Sequence, residues 1–147
     1  MIDRERIYSA LWEVASQSSK FTTASRRLRH WSDVAPAEQP ALFMAQKGQV
    51  AAERQAVFDI QSPIYTLEAE FYIYVHSTDP YEAPAILLNP LIDALERALA
   101  ADPVSGVNDL NLPEMVHWVR INGRIETAEG VLGDQELAII PVEIRAV

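Results

Sequence analysis

The chain has 147 residues, of which 49% are apolar, a size and balance that fit one globular domain and exclude a disordered chain. A formal net charge of −9 argues against a general nucleic-acid binder, which needs a surplus of Lys and Arg to contact phosphates. The absence of cysteine excludes disulfides and thiolate metal sites. No apolar run is long enough for a transmembrane helix or a secretory signal, so cytoplasmic synthesis without a membrane partner is expected.

The opening IDRERIYSALWEVASQ predicts an amphipathic helix. Asp3 is a good N-cap, with Ile2 placed to staple onto Ile7. Ile7, Leu11 and Val14 form its stripe, widened by Tyr8, Trp12 and Ala15. In FTTASRRLRHW, Phe21 to Thr23 favour extended backbone, while Arg26, Arg27 and Arg29 fit a strand partly open to solvent or to a partner. Pro36 and Pro40 make a turn, because proline fixes φ and pushes the preceding residue toward extended backbone. ALFMA follows as a short apolar strand. From Gln46 to Pro63 the chain reads as a polar, glycine-bearing loop that nonetheless carries Val50, Val57, Phe58 and Ile60. A loop of that length usually has a function, and ordering of this one on assembly is expected.

IYTLEAEFYIYVHS is the clearest strand. Leu67, Ala69, Phe71, Ile73 and Val75 alternate with Glu68, Glu70, Tyr72, Tyr74 and His76, giving one core face and one polar, aromatic face. After the turn STDPYEAP, the stripe Leu88, Leu91, Ile92, Leu95 and Leu99 predicts a second helix, with Pro90 in its first turn and Asn89 as cap. DPVSGVNDLNLP is a loop. EMVHWVRINGRIETAEG predicts a hairpin turning at Asn122-Gly123. QELAIIPVEIRAV closes as a strand with Ala138, Ile140, Val142 and Ile144 on one face, and Pro141 argues for an edge position or a bulge. The sum is a single α+β domain over 1–147, with a mainly antiparallel sheet and two principal helices packed on one face.

Residues that carry chemistry are sparse. His30, His76 and His117 have no metal-ligand spacing, and no HExxH, GxGxxG or Walker pattern occurs. His76, Ser77 and Asp79 are the residue types of a hydrolytic triad, but three in one turn read first as turn hydrogen bonding. Glu68 and Glu70 share a strand face, where they suit acid–base work, a cation, a solvated surface or one side of an intersubunit ion pair. The arginine cluster reads as a surface or contact patch, and Trp31 and Trp118 as core or interface anchors. Charge is also uneven. Residues 1–54 hold 8 basic and 6 acidic side chains, while residues 55–147 hold 4 basic and 15 acidic ones. Scatter accounts for this, and so does a protomer with two unlike sides suited to head-to-tail association.

The order and spacing of these pieces carry a resemblance. An amphipathic N-terminal helix precedes SRRLRHWSDV and QPALFMAQKGQ; then come FYIYVHSTDP, LNPLIDALERALAADP, VHWVRINGRIETAEGVLG and ELAIIPVEIRAV. Over nearly its whole length the chain resembles the tail-terminator (tail completion, minor tail) proteins of long-tailed bacteriophages. The resemblance implies a virion protein rather than an enzyme, without catalytic residues, cofactor or metal. It implies a homo-oligomeric ring, typically a hexamer, that caps the tail tube at its head-proximal end and ends its polymerisation. Its partners would be the tube protein and a head-completion or connector protein, with DNA passing through the channel without specific binding. Candidate subunit or tube contacts are Arg26, Arg27, Arg29, Val50, Val57, Phe58, Glu68 and Glu70. The alternatives are a head-completion or connector protein of the same virion, and a small-molecule enzyme or binding module using Tyr72, Tyr74, Glu68 and Glu70.

Overall fold

The computed structural model describes residues 2–52, 63–129 and 133–147. Helix α1 (Arg4–Ser16) starts where Asp3 accepts a hydrogen bond from the Arg6 amide at 3.1 Å. Its stripe is the expected one: Ile7, Tyr8, Leu11 and Ala15 are fully buried, and Trp12 and Val14 pack beside them. Strand β1 is shorter than expected, spanning Thr23–Ser25 and lying parallel to β2 (Ala41–Ala52). The chain peels away at Arg26, and two 3-10 turns, Trp31–Asp33 and Pro36–Glu38, carry it back across the sheet.

Strand β2 overturns the expected loop. It runs through Gln46–Ala52, because Gln49–Ala52 pair antiparallel with Ile64–Leu67 of β3 (Ile64–His76) despite their polar, small side chains. A register shift between Gln46 and Gln49 marks a bulge at Lys47 and Gly48. These residues looked like a loop because neither face is buried there, so no apolar alternation was written into them. Val57, Phe58 and Ile60 lie outside the described residues. The face of β3 is as expected, with Leu67, Ala69, Phe71, Ile73 and Val75 all buried.

Helix α2 (Ala85–Ala98) begins five residues before Pro90, so neither Asn89 as cap nor Pro90 in the opening turn stands. The first turn closes instead on the Pro84 carbonyl, which accepts from the Leu87 and Leu88 amides. Pro90 is tolerated inside the helix because it and Ile86 are exposed, leaving the Ile86 carbonyl to water. Leu88, Leu95 and Leu99 are buried, with Leu91 and Ile92 packed against the core.

Strands β4 (Val116–Ile121) and β5 (Glu126–Thr127) do not form the expected hairpin; both pair antiparallel with β6 (Gln135–Ala146). Pro141 explains the arrangement. Its carbonyl accepts from the Asn122 amide at 3.1 Å, so the missing proline N–H also faces this side of β6. The ladder breaks there, and the chain steps past Pro141 at Gly123, whose φ is +115° and where a Cβ would lie 3.3 Å from the proline ring. Strand β6 is consequently neither edge nor bulged against β3; it pairs with β3 without a break from Tyr65–Ala146 to His76–Gln135.

The sheet order is β1-β2-β3-β6-β4, with β5 also on β6, and β1–β2 is the one parallel pairing among the described residues. Both helices pack on one face into the main core, as expected for an α+β domain. Among the described residues the other face is covered at one end only. There the 3-10 segment seals a second, small core of Val34, Ala41, Phe43 and Tyr74, with Trp31, Tyr72 and Leu137 at its margin. The stretch from Trp31 to Gln49 thus builds a lid and a strand.

Candidate assembly surfaces

Beyond that lid, the second face of the sheet has no second layer among the described residues, and its side chains there are largely polar and half-buried. Glu68 and Glu70 both project onto it from β3, and Glu143 of β6 stands opposite Glu68 in register. The Glu70 carboxylate accepts from the Tyr72 hydroxyl at 2.7 Å and lies 3.5 Å from Lys47 Nζ. Glu143 accepts from Asn122 Nδ2 and stands 4.0 Å from Arg120, whose guanidinium stacks 4.0 Å from the centroid of Trp118. Gly48 makes room for Glu68: a Cβ there would lie 3.2 Å from the carboxylate. Together Lys47, Glu68, Glu70, Asn122, Pro141 and Glu143 line a small open hollow of about 240 Å³.

Burial first, and the Glu70 carboxylate second, hold the Tyr72 hydroxyl above the ordinary phenol range, so it remains a hydrogen-bond donor. Tyr74 does not belong to this open face. It is 4% exposed beneath the 3-10 segment, its hydroxyl donates to the Arg29 carbonyl at 2.6 Å, and burial pushes it up to about 12. Tyr72 and the two glutamates are brought together, and Tyr74 is removed from them.

The histidines converge on nothing. His76 Nδ1 lies 3.3 Å from Asp134, while the Ser77 hydroxyl donates to the Asp79 carbonyl, so His76, Ser77 and Asp79 form turn contacts rather than a relay. His30 caps Ser32 in its own 3-10 turn, and His117 is exposed on β4. Among the described residues no group of three His, Asp or Glu side chains is arranged to hold a metal, and no helix is long and apolar enough to cross a membrane.

The three arginines divide. Arg26 is bound within the subunit to Glu5 of α1 and to Ser9. Arg29 pairs with Glu38 at 3.0 Å and donates to the Asp33 carbonyl, tying the 3-10 segment together. These contacts hold the exposed Glu5 and Glu38 carboxyls below their usual range. Arg27 is exposed, and among the described residues its side chain makes no ion pair or hydrogen bond; only its backbone amide is engaged, by Ser25. Arg26, Arg27 and Leu28 form one wall of an open groove of about 540 Å³ whose other wall is Met44, Ala45 and Gln46 of β2. Beyond the three residues paired with β1, the outer edge of β2 has no partner strand among the described residues. Val50, a predicted contact residue, is 58% exposed in this stretch.

Two features escaped the sequence reading. Glu136 is 2% exposed at the end of β6, a carboxyl on the same face as Ala138 and Ile140; extending that alternation by one step finds it. Tyr81, in the turn before α2, is 97% exposed, and Ile86 and Leu87 follow it at 59% and 40%. The turn STDPYEAP is rich in proline and acid, and that composition hides the aromatic.

No family model and no curated protein matches the chain. Among solved structures, the fold is similar to that of a chain in the virion of a native gene transfer agent particle. The two are 9% identical, the similarity covers 95% of this chain and 90% of that one, and the TM-score is 0.51. At that identity the likeness is one of fold: the arrangement of sheet and helices is shared over nearly the full length of both chains.

Proposed function

We propose that this chain is a structural protein of a phage-like virion, and within it the tail terminator: a ring that ends the tail tube and joins it to the head. The observation that carries the reading is the fold likeness to a virion chain across nearly all of both molecules. The surfaces are compatible with it. A ring needs heterologous contacts between unlike patches, and this protomer has an arginine-walled groove at one sheet edge and an acidic, aromatic turn elsewhere. A channel that passes DNA should not grip it, and an open sheet face carrying Glu68, Glu70 and Glu143 repels phosphate. The same face serves an enzyme poorly, because Glu70 is already engaged by Tyr72 and Lys47 and the hollow beside it is small.

The test is negative-stain imaging of the purified protein, alone and mixed with tail tubes assembled from the same virus's tube protein. The expected result is rings, and tubes that stop growing with a ring on one end. Labelling confined to tailless heads would assign the connector role instead. A protein that stays monomeric, ignores tube ends and retains a metabolite in native mass spectrometry would overturn the structural reading.

A further inference from the structure

We infer that the turn at residues 78–83 of one subunit docks into the groove between Arg26–Leu28 and β2 of a second copy, with Tyr81 as the inserted anchor. The inference rests on the ring reading and names the contact that would build the ring. Its first ground is Tyr81 itself. A tyrosine 97% exposed leaves a large apolar ring in water, and tyrosine is among the residue types enriched at interface anchors. The turn fixes the backbone that carries it. Asp79 Oδ1 accepts from the Tyr81 amide at 2.9 Å, the Asp79 carbonyl accepts from the Glu82 amide, and Pro80 and Pro84 stiffen both flanks. A backbone ordered this way loses little conformational freedom on binding.

The second ground is the receiving surface. The groove is roomy enough for a phenol ring, its apolar lining comes from Leu28 (40% exposed) and Ala45, with the backbone of the buried Met44 behind them, and Arg26 and Arg27 stand on its rim. Tyr81 is preceded by Asp79 and followed by Glu82, so an acidic, aromatic knob meets a basic, apolar hole. Arg27, with no side-chain partner among the described residues, is the cation left to meet them. Ile86 and Leu87, in the first turn of α2, extend the apolar surface behind the knob. The third ground is placement. The turn leaves the end of β3 at which β2 begins, whereas the groove lies on the outer side of β2 alongside Met44–Gln46. Knob and hole are therefore different patches of one molecule, as a head-to-tail contact that propagates around a ring requires.

Because the chain has no cysteine, the contact can be tested by introducing two. A protein carrying Gln46→Cys, beside the hole, is mixed with one carrying Ala83→Cys, beside the knob, under mild oxidation; Leu28 and Tyr81 stay in place, and a covalent mixed dimer that neither protein gives alone reports the contact. The double variant should then give a ladder of covalent oligomers on a non-reducing gel. Tyr81→Ala should weaken self-association at least about tenfold in sedimentation, as loss of an anchor does. Arg27→Glu and Glu82→Arg should each weaken it, and their combination should recover part of the loss. Rings in negative stain without cross-linking, and unaffected by Tyr81→Ala, would overturn the knob while leaving the ring reading intact. Wild-type protein that never self-associates, alone or on tube ends, would overturn both.

Discussion

Glu136 is the residue whose environment departs furthest from its chemistry. It sits on the core side of β6 opposite Val75, with one carboxylate oxygen buried and without a hydrogen-bond partner among the described residues. Burial first, and the negative charge of Glu129 second, raise its carboxyl above the usual range. An acid whose folded pKa is raised binds its proton more tightly in the folded state. Its effect on stability therefore becomes unfavourable as pH climbs from the unfolded value through the folded one. Glu136→Gln should accordingly raise the melting temperature at pH 7 to 8, with the gain shrinking as pH falls toward about 4, where both states are protonated. Thermal melts across that range check it; an equal gain at both ends would mean that the substitution acts through packing and not charge. Glu5, Glu38 and Asp102 work in the opposite sense. Their carboxyls are lowered by Arg26, Arg29 and the Ser105 and Val104 amides respectively, so whatever they contribute is lost as the solution is acidified. All three are exposed to solvent, which screens that contribution.

At the scale of elements, α2 shows how periodicity reports a face more reliably than an end. Leu95 is fully buried in the main core and Glu96, one position on, is exposed. Leu95→Ala should cost about 2–5 kcal/mol in denaturant melts, as deletion of a buried leucine does, and Glu96→Ala less than about 0.5 kcal/mol. The faces of α1, α2, β3 and β6 were legible because each buries one side against a single core, and that burial is written as spacing. The helix start was not, since Pro90 reads as a first-turn residue and nothing local reveals that Ile86 lies on the solvent side. Gln46–Ala52 failed for the complementary reason: its strand is held by backbone pairing with β3, which leaves no trace in side-chain polarity. The Asn122-Gly123 signal was real as a turn, but it serves to pass Pro141 rather than to pair β4 with β5. Of the candidate contacts, exposure of Arg27 and the shared face of Glu68 and Glu70 followed from sequence. The engagement of Arg26 and Arg29 did not, because Glu5 lies a helix away and Glu38 beyond a 3-10 turn.

The whole molecule has a covered side and an open one. Helices fill one face of the sheet, a short lid closes one end of the other, and the remainder is a polar surface next to a strand with an unpaired edge. Such an edge invites uncontrolled pairing, and the bulge at Lys47 and Gly48 interrupts its regular row of donors and acceptors and places a charge there. Association is thus steered toward side-chain contacts. If oppositely charged patches draw subunits together, wild-type assembly should weaken as ionic strength rises through about 0.1 M, where the Debye length is about 10 Å. Sedimentation at fixed protein concentration over a salt series measures this. Assembly that strengthens with salt would point to an apolar contact in which Tyr81 acts without its flanking acids.

The position of β6 has a consequence for how the chain reaches this structure. Its residues follow every other described strand in chain order, yet they lie between β3 and the β4–β5 side, joining Tyr65 to Ala146 and His76 to Gln135. Until they arrive, β3 has a partner on one side only, and β4 and β5 have none among the described strands. The growing chain can form α1 and the β2–β3 pair early, but the sheet closes in a late step that spans most of the sequence. Loop closure over such separations is slow. A chain of this topology therefore holds unpaired strand edges for longer than a helical protein of its size, and such edges are open to pairing with other unfinished chains.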